Sequence, residues 1–370
     1  MTRTEIADAL AVLVGGGPVS DDIWSGLDVD GFCSAAERDG VAPLVAARLA
    51  GLEGAPVPLR ARMRELAHHQ IAVDLVKERE LCRVLAGLDH AGVRALLMKG
   101  AHLAYTHYPR PDLRPRLDAD ILIPVAQRRV VHDLFSQLGY ESDAQVGAEH
   151  VMYQRAYVRR EDAVPHVVDV HWRPFNQEVF RGVLSYDEMM DEALPIPAIG
   201  PGAWGLSDVH ALLLACVHRV AHHFDGGPLI WLYDIHLIAA RLRAGDWSRF
   251  VDLASARGVA AICRASLQRT VERFGTCVPE AVWTEGGAMD AGEHEPTAGY
   301  LTPNRPHVKV VLDDLRALPT WADRWRLLRE HTFPPIEYMQ GVYAPSSTMP
   351  LFWLYARRIV LGTRKWLARS

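Results

Sequence analysis

The chain reads as an α+β protein in which a small strand-bearing unit is embedded between N- and C-terminal helical regions. Three observations predict this. Residues 1–92 place apolar positions at helical spacing, residues 93–175 run strand, helix, strand, helix, strand, strand, and long helices return beyond Pro195. The expected divisions are an N-terminal helical region (1–92), an α/β core (93–195), a helical domain (196–283), a mobile surface loop (284–307) and C-terminal helices (308–370).

Taken in order, "FCSAAERDGVAPLVAARLAG" has helical spacing and ends at Gly51 as a C-cap. "PLRARMRELAHHQIAVDLVKERELCRVLAGLDHAG" is a long amphipathic helix closed by Gly92. "VRALLMK" is a short strand, "AHLAYTHY" one or two helical turns stopped by Pro109, and "LDADILIP" a second strand ending at Pro124. Val131, Leu134, Phe135 and Leu138 fall at i, i+3, i+4 and i+7 of a helix stopped by Gly139. "HVMYQRAYVRR" and "HVVDVHW" are two further strands. Ser207 is the expected N-cap of "SDVHALLLACVHRVAHHF", and "PLIWLYDIHLIAARLRAG" is expected to run to Gly245. A closing helix should carry Leu318, Trp321, Trp325 and Leu328 on one face.

Composition narrows the function. An apolar content of 49% and a charged content of 23% are those of a globular chain with a full core. A net charge of -5 gives no general attraction to nucleic acid or anionic lipid, so any polyanion site must be local. The five cysteines are scattered, with no CxxC, which points to reduced thiols and a cytoplasmic protein. Arg357 and Arg358 break the longest apolar runs near the C-terminus, so no transmembrane segment is expected.

The stretch "LDADILIP" sets two acids inside an apolar strand, where unpaired carboxylates cost several kcal/mol. Residues two apart share a strand face, so Asp118, Asp120 and Leu122 project together, and Leu117, Ala119, Ile121 and Ile123 face a packed layer. Two like charges this close favour an intervening cation, and hard carboxylate oxygens suit Mg²⁺. In "HVVDVHW", Asp169 and His171 share a face and add the third acid that a two-metal phosphoryl-transfer site needs. His171 would tune Asp169 or touch substrate. Lys99-Gly100 marks a strand-to-helix junction where phosphate meets backbone N–H groups and an ammonium. Arg110, Arg114 and Arg116 lie on the connection into the acidic strand, within reach of a polyphosphate.

The ordered set Lys-Gly, Arg114, D-x-D and D-x-H resembles the nucleotidyltransferase superfamily typified by DNA polymerase β. More narrowly it resembles the bacterial family of uncharacterised nucleotidyltransferases. "LLMKGAHLAYTHYP", "VVDVHW", "WLYDIHLIA" with His222 upstream, and "FPPIEYMQGVY" carry the likeness beyond about residue 30. It implies a polymerase β-like core with a small mixed sheet, and transfer of a nucleoside monophosphate, AMP by preference, from an NTP such as ATP. Two Mg²⁺ ions, or Mn²⁺ in their place, would be held by Asp118, Asp120 and Asp169. The superfamily usually has Gly-Ser where this chain has Lys-Gly, so Lys99 stands in as the phosphate contact, with Arg114 beside it. His222 and Asp234 would link two helices beside the site or touch nucleotide or acceptor.

The expected acceptor is a small molecule or peptide, since no broad basic groove shows in the composition. A protein-modifying, AMPylating enzyme and a non-catalytic nucleotide-binding protein are the alternatives. His218 and His222 at i, i+4 suggest zinc, but no Glu follows His218 as zinc peptidases require. The tail "ARRIVLGTRKWLARS" reads as a helix with a solvated basic face, with acceptor or membrane-surface contact as its other reading.

Overall fold

The structure, a computed structural model, describes residues 1–142, 152–160, 164–221, 227–283, 295–302, 305–343 and 350–358. The N-terminal region folds as α1 (Arg3–Gly15), α2 (Val29–Arg38), α3 (Ala42–Ala50) and the 34-residue α4 (Val57–His90). The stretch expected to end at Gly51 is two helices. Gly40 adopts φ +68 at the break, a conformation that a side chain resists.

After α4 come β1 (Ala95–Leu97), α5 (Lys99–Thr106), β2 (Ala119–Leu122), α6 (Arg128–Gln137), β3 (Glu141–Ser142), β4 (Gln154–Arg159) and β5 (His166–His171). Then follow α7 (Tyr186–Asp191), β6 (Leu194–Pro195) and β7 (Ala203–Gly205). The seven strands form one mixed sheet in the order β3-β4-β5-β2-β1-β7-β6. The pairs β2–β5 and β1–β7 are parallel, and β1–β2 and β4–β5 antiparallel. Strand β7 has three residues and no alternation to announce it, yet it lies beside β1.

Side-chain alternation gives the sheet two buried faces. Leu97, Ile121, Val168 and Val170 pack with Val84, Leu88, Val131 and Phe135 from α4 and α6. The opposite face, through Leu96 and Leu122, joins the larger core. Leu117 departs from expectation: it precedes β2 and is 87% exposed. The Arg116 and Leu117 carbonyls both accept from Lys77 Nζ, which turns this residue outward.

The larger core joins both helical regions. Its C-terminal half is α8 (Asp208–Ala221), α9 (Leu229–Ala239), α10 (Ala244–Ala256) and α11 (Ala260–Phe274). Leu10, Phe32 and Val45 share it with Leu213, Ile235, Phe250 and Ile262. Asp39 reinforces the union, since its Oδ1 and carbonyl accept the Leu229 and Ile230 N–H groups at 3.0 and 3.1 Å. Two unpaired donors of the α9 N-terminus are thereby satisfied from α2. Ser207 Oγ accepts from the His210 amide at 3.4 Å, as an N-cap does. The helix expected to reach Gly245 stops at Ala239 instead. The Asp246 carboxylate accepts the Arg243 N–H at 2.9 Å and starts α10 there.

Of the segment expected to be a mobile loop, 284–294 and 303–304 lie outside the described residues. Pro296–Leu301 is a 3₁₀ turn that buries Tyr300. The chain then forms α12 (His307–Ala317), α13 (Trp321–Thr332) and α14 (Ile336–Tyr343). Thr320 caps α13, so Leu318 falls before the helix and is buried apart from the expected stripe. Trp321 and Trp325 are 82% and 69% exposed, and Leu327 is the residue that α13 buries. The basic tail from 359 onward lies outside the described residues. Among the described residues no helix is long and apolar enough to cross a membrane.

Candidate active site

The parallel register of β2 and β5 sets Asp120 directly beside Asp169, and Leu122 beside His171. Alternation sends Asp120, Asp169 and His171 to one face, where their ligand atoms all lie within 4.8 Å of one another. Asp118 falls one residue before β2, reaches solvent, and is not part of that set. Gln154 on β4 donates to Asp169 Oδ2 at 3.2 Å, and Asn176 donates to Gln154 Oε1 at 3.2 Å. A short amide chain thus orients the third acid, a pairing that no local pattern around Asp169 announces.

Lys99 and Gly100 open α5 beside these acids. The Met98 N–H donates to the Asp120 carbonyl at 3.0 Å, extending the β1–β2 ladder to the helix start. Lys99 then takes φ +49, the one non-glycine among the described residues at positive φ. A left-handed lysine costs about 1–2 kcal/mol. Its return is position, since Nζ comes to 2.6 Å from Asp120 Oδ1. His171 Nε2 reaches the same oxygen at 2.9 Å.

Electrostatics sort the three acids. Burial alone would raise the Asp120 carboxyl, but Lys99 and His171 outweigh it and hold the group well below the usual carboxylate range. Asp169 has no such partner, and burial, then Asp118 and Asp120, push it up to about 6. Asp118 is also raised, by the protein mass around the cleft and then by Asp120, although its side chain reaches solvent. Burial and Lys99 push His171 down, so a neutral imidazole donates to Asp120.

Asp118 and Asp169 are both raised, first by burial and then by neighbouring carboxylates, while Lys99 pairs with Asp120. Oxygen donors so placed suit a hard divalent cation, and His171 offers a ring nitrogen within the same set while its Nε2 meets Asp120. A pH signature follows. Without metal, folded Asp169 keeps its proton to about pH 6, whereas an unfolded Asp loses it near pH 4. Stability of the metal-free protein should therefore fall as pH rises from about 4 to about 6. Added Mg²⁺ binds the ionised acids, so it should raise Tm more at about pH 7.5 than at about pH 5. Differential scanning fluorimetry reads both; equal Mg²⁺ shifts at the two pH values would contradict this assignment.

The three arginines take different places. Arg114 is buried and forks onto Asp234, with Nε 2.8 Å from Oδ1 and Nη2 2.8 Å from Oδ2, while Nη1 donates to the Pro115 carbonyl. Tyr108 OH completes the Asp234 shell at 2.7 Å. Asp234 therefore ties α9 to the loop entering β2, and Arg114 is its anchored partner at the cleft wall. Arg116, also buried, bonds Asp74 and lies over the Tyr105 ring. Arg110 folds onto Asp112 at the surface and does not line the cleft. His222 lies outside the described residues.

Gly100 is dictated by this packing. A Cβ there would lie 3.2 Å from three atoms of the Arg114 guanidinium. That group is held by Asp234 and Pro115, so the few tenths of an ångström it must give are opposed by those bonds. Gly100→Ala should therefore destabilise by about 1–3 kcal/mol despite the better helix propensity of alanine. Urea unfolding measures it, and unchanged or higher stability would show that Arg114 moves freely.

A cavity of about 630 Å³ adjoins the acids. Lys99, Gly100, Asp118 and Asp120 line one end, and α4, α8 and α9 supply the rest through His69, Gln70, Lys77, Leu214, Ile230 and Trp231. Helix α4 escaped the sequence reading as a site element. Asp74, Lys77 and Glu80, three apart, bond Arg116, two carbonyls before Asp118, and Tyr140. Its signal was acids and a lysine on the inner side of an otherwise apolar stripe.

Acids in register above a cleft, with an ammonium at a helix start, suit the handling of phosphate esters with a divalent cation. That is the equipment of a phosphoryl- or nucleotidyl-group transferase. A family model described as uncharacterised nucleotidyltransferase matches residues 25–275, more than half the chain, and the protein belongs to that family. It is accordingly a transferase of nucleotidyl groups, with a nucleoside triphosphate as substrate. No curated protein matches the chain.

Proposed function

We propose that the protein is a Mg²⁺-dependent nucleotidyltransferase built on a polymerase β-like core. It moves a nucleoside monophosphate, AMP by expectation, from an NTP to a hydroxyl or other nucleophile of a small molecule or peptide. The observation that carries this reading is the register that sets Asp169 beside Asp120, which lines the cleft with Lys99 and Gly100.

Asp118, Asp120 and Asp169 would hold the metal, with Mn²⁺ able to replace Mg²⁺. Bound divalent ions supply Lewis acidity at the phosphate oxygens and make the attacking hydroxyl more acidic. Asp120, kept ionised by Lys99 and His171, is the fixed anionic ligand. Asp169 would complete the carboxylate set and assist deprotonation of the attacking hydroxyl. The acceptor oxygen bonds to the α-phosphorus as the bond to the bridging oxygen of the β-phosphate breaks. Pyrophosphate leaves with that electron pair. Lys99 and the first N–H groups of α5 offset the charge of the phosphates, and Gly100 lets them approach the backbone. Arg114 holds the wall through Asp234 and adds positive potential there.

The test incubates the protein with α-labelled and γ-labelled ATP or GTP, Mg²⁺ and pooled metabolites or peptides. Pyrophosphate release with label carried onto an acceptor is expected. Nucleotide binding that is indifferent to metal and gives no pyrophosphate would sink the reading.

A further inference from the structure

Away from the acids, the cleft changes character. Between α4, α5, α8 and α9 its floor is Leu103, Leu214 and Ile230, all buried, and its sides are Val73, Ala215 and Trp231, half-buried. The cations along the cleft are committed elsewhere: Arg114 to Asp234, Arg116 to Asp74, Lys99 to Asp120 and Lys77 to two carbonyls. Arg38 stands exposed at the rim beside Glu37. The other polar residues of the lining are the exposed carboxylate of Glu37, the neutral amide of Gln70 and the imidazoles of His69, His102 and His218. Among the described residues, nothing here is arranged for a second phosphate or carboxylate, whereas an apolar ring would be covered on several sides.

We infer that this end is the acceptor subsite and that it takes a neutral alcohol with an apolar, ring-bearing body, held against Trp231 with its hydroxyl turned toward the acids. The inference rests on the nucleotidyl-transfer reading for the word acceptor, but the subsite itself stands on the cavity lining. A charged acceptor would leave its anion beside apolar carbon, and a sugar-like polyol would leave buried hydroxyls unmatched.

The test uses the full chain without nucleotide and 1-naphthol as probe, with 1-naphthyl phosphate, glycerol and adenosine as comparison arms, followed by calorimetry and by the tryptophan indole signals in NMR. Binding of 1-naphthol is expected, with the phosphate ester and glycerol weaker by about tenfold or more. Ala215→Phe, which fills the space, should lower 1-naphthol affinity by at least about tenfold, and Trp231→Leu should lower it by a smaller factor. Thermal melting shows that each variant is folded. The inference is overturned if 1-naphthol does not bind, if Ala215→Phe in folded form binds it as wild type does, or if the phosphate ester binds best. Adenosine displacing 1-naphthol from this end would overturn it too, by making the pocket a nucleobase site. If naphthol binding fails while Asp120-dependent pyrophosphate release persists, the inference alone is lost. If binding holds and no pyrophosphate is released, the transfer reading is lost instead.

Discussion

Replacing Asp120 by asparagine should lower pyrophosphate release by about 10³-fold or more, the scale seen when one preorganised electrostatic element is removed from a transition state. The substitution is nearly isosteric, so the cleft keeps its shape and the loss is one of charge. Asp120 is the acid that Lys99 and His171 hold ionised, and both partners converge on its Oδ1. Without the carboxylate, Lys99 keeps its strained φ with no anion to justify it, and a metal loses its strongest oxygen. Removing one member of a buried ion pair also costs about 3–5 kcal/mol of stability, so a melting curve must accompany the assay. Asp118→Asn separates the two effects, because Asp118 reaches solvent and makes no close ion pair among the described residues. It should leave Tm within a few degrees and still cut the rate by orders of magnitude. If both variants turn over within about tenfold of wild type, these acids do not carry the reaction.

The acidic half of this site is legible because strand alternation is a local rule. Alternation gives Asp120 a face on β2 and Asp169 with His171 a face on β5, and the parallel pairing brings these together, whereas Asp118 falls before β2 and outside the set. Lys-Gly after "ALLM" is legible for the same reason: strand, turn and helix start are consecutive. The limits of local reading show at Leu117, where alternation continued one residue too far. The strand begins only after Lys77, forty residues upstream, has captured the Leu117 carbonyl. Arginine roles were not legible at all. Whether a guanidinium faces phosphate or a carboxylate depends on which acid the tertiary fold delivers. Asp234 arrives from 120 positions away, and Asp74 from 42. The exposed Trp321 and Trp325 make a similar point, since periodicity finds a stripe but does not say what covers it.

The distant pairing of Arg114 with Asp234 makes the largest stability prediction. Both side chains are buried, the guanidinium is bidentate, and Tyr108 and Pro115 fill the remaining valences, so the pair is fully satisfied in place. Arg114→Ala leaves the Asp234 carboxylate buried with only a phenol, and should destabilise the protein by about 3–5 kcal/mol. Asp234→Ala should cost about as much, because it strands the cation. The double variant Arg114→Met with Asp234→Leu removes both charges and restores apolar volume. It should recover much of the loss, giving a coupling energy of about 2 kcal/mol or more in a double-mutant cycle. Urea unfolding of the four proteins measures it. Additive losses would mean that the two groups act independently and that Arg114 is held for a ligand rather than for Asp234. Activity resolves the remaining question. If Arg114 serves by fixing the wall, the double variant should keep a substantial part of the rate of pyrophosphate release and an NTP KM near that of wild type. If its charge acts directly on the phosphates, the refolded double variant should stay slow, with the NTP KM raised along with the loss in kcat.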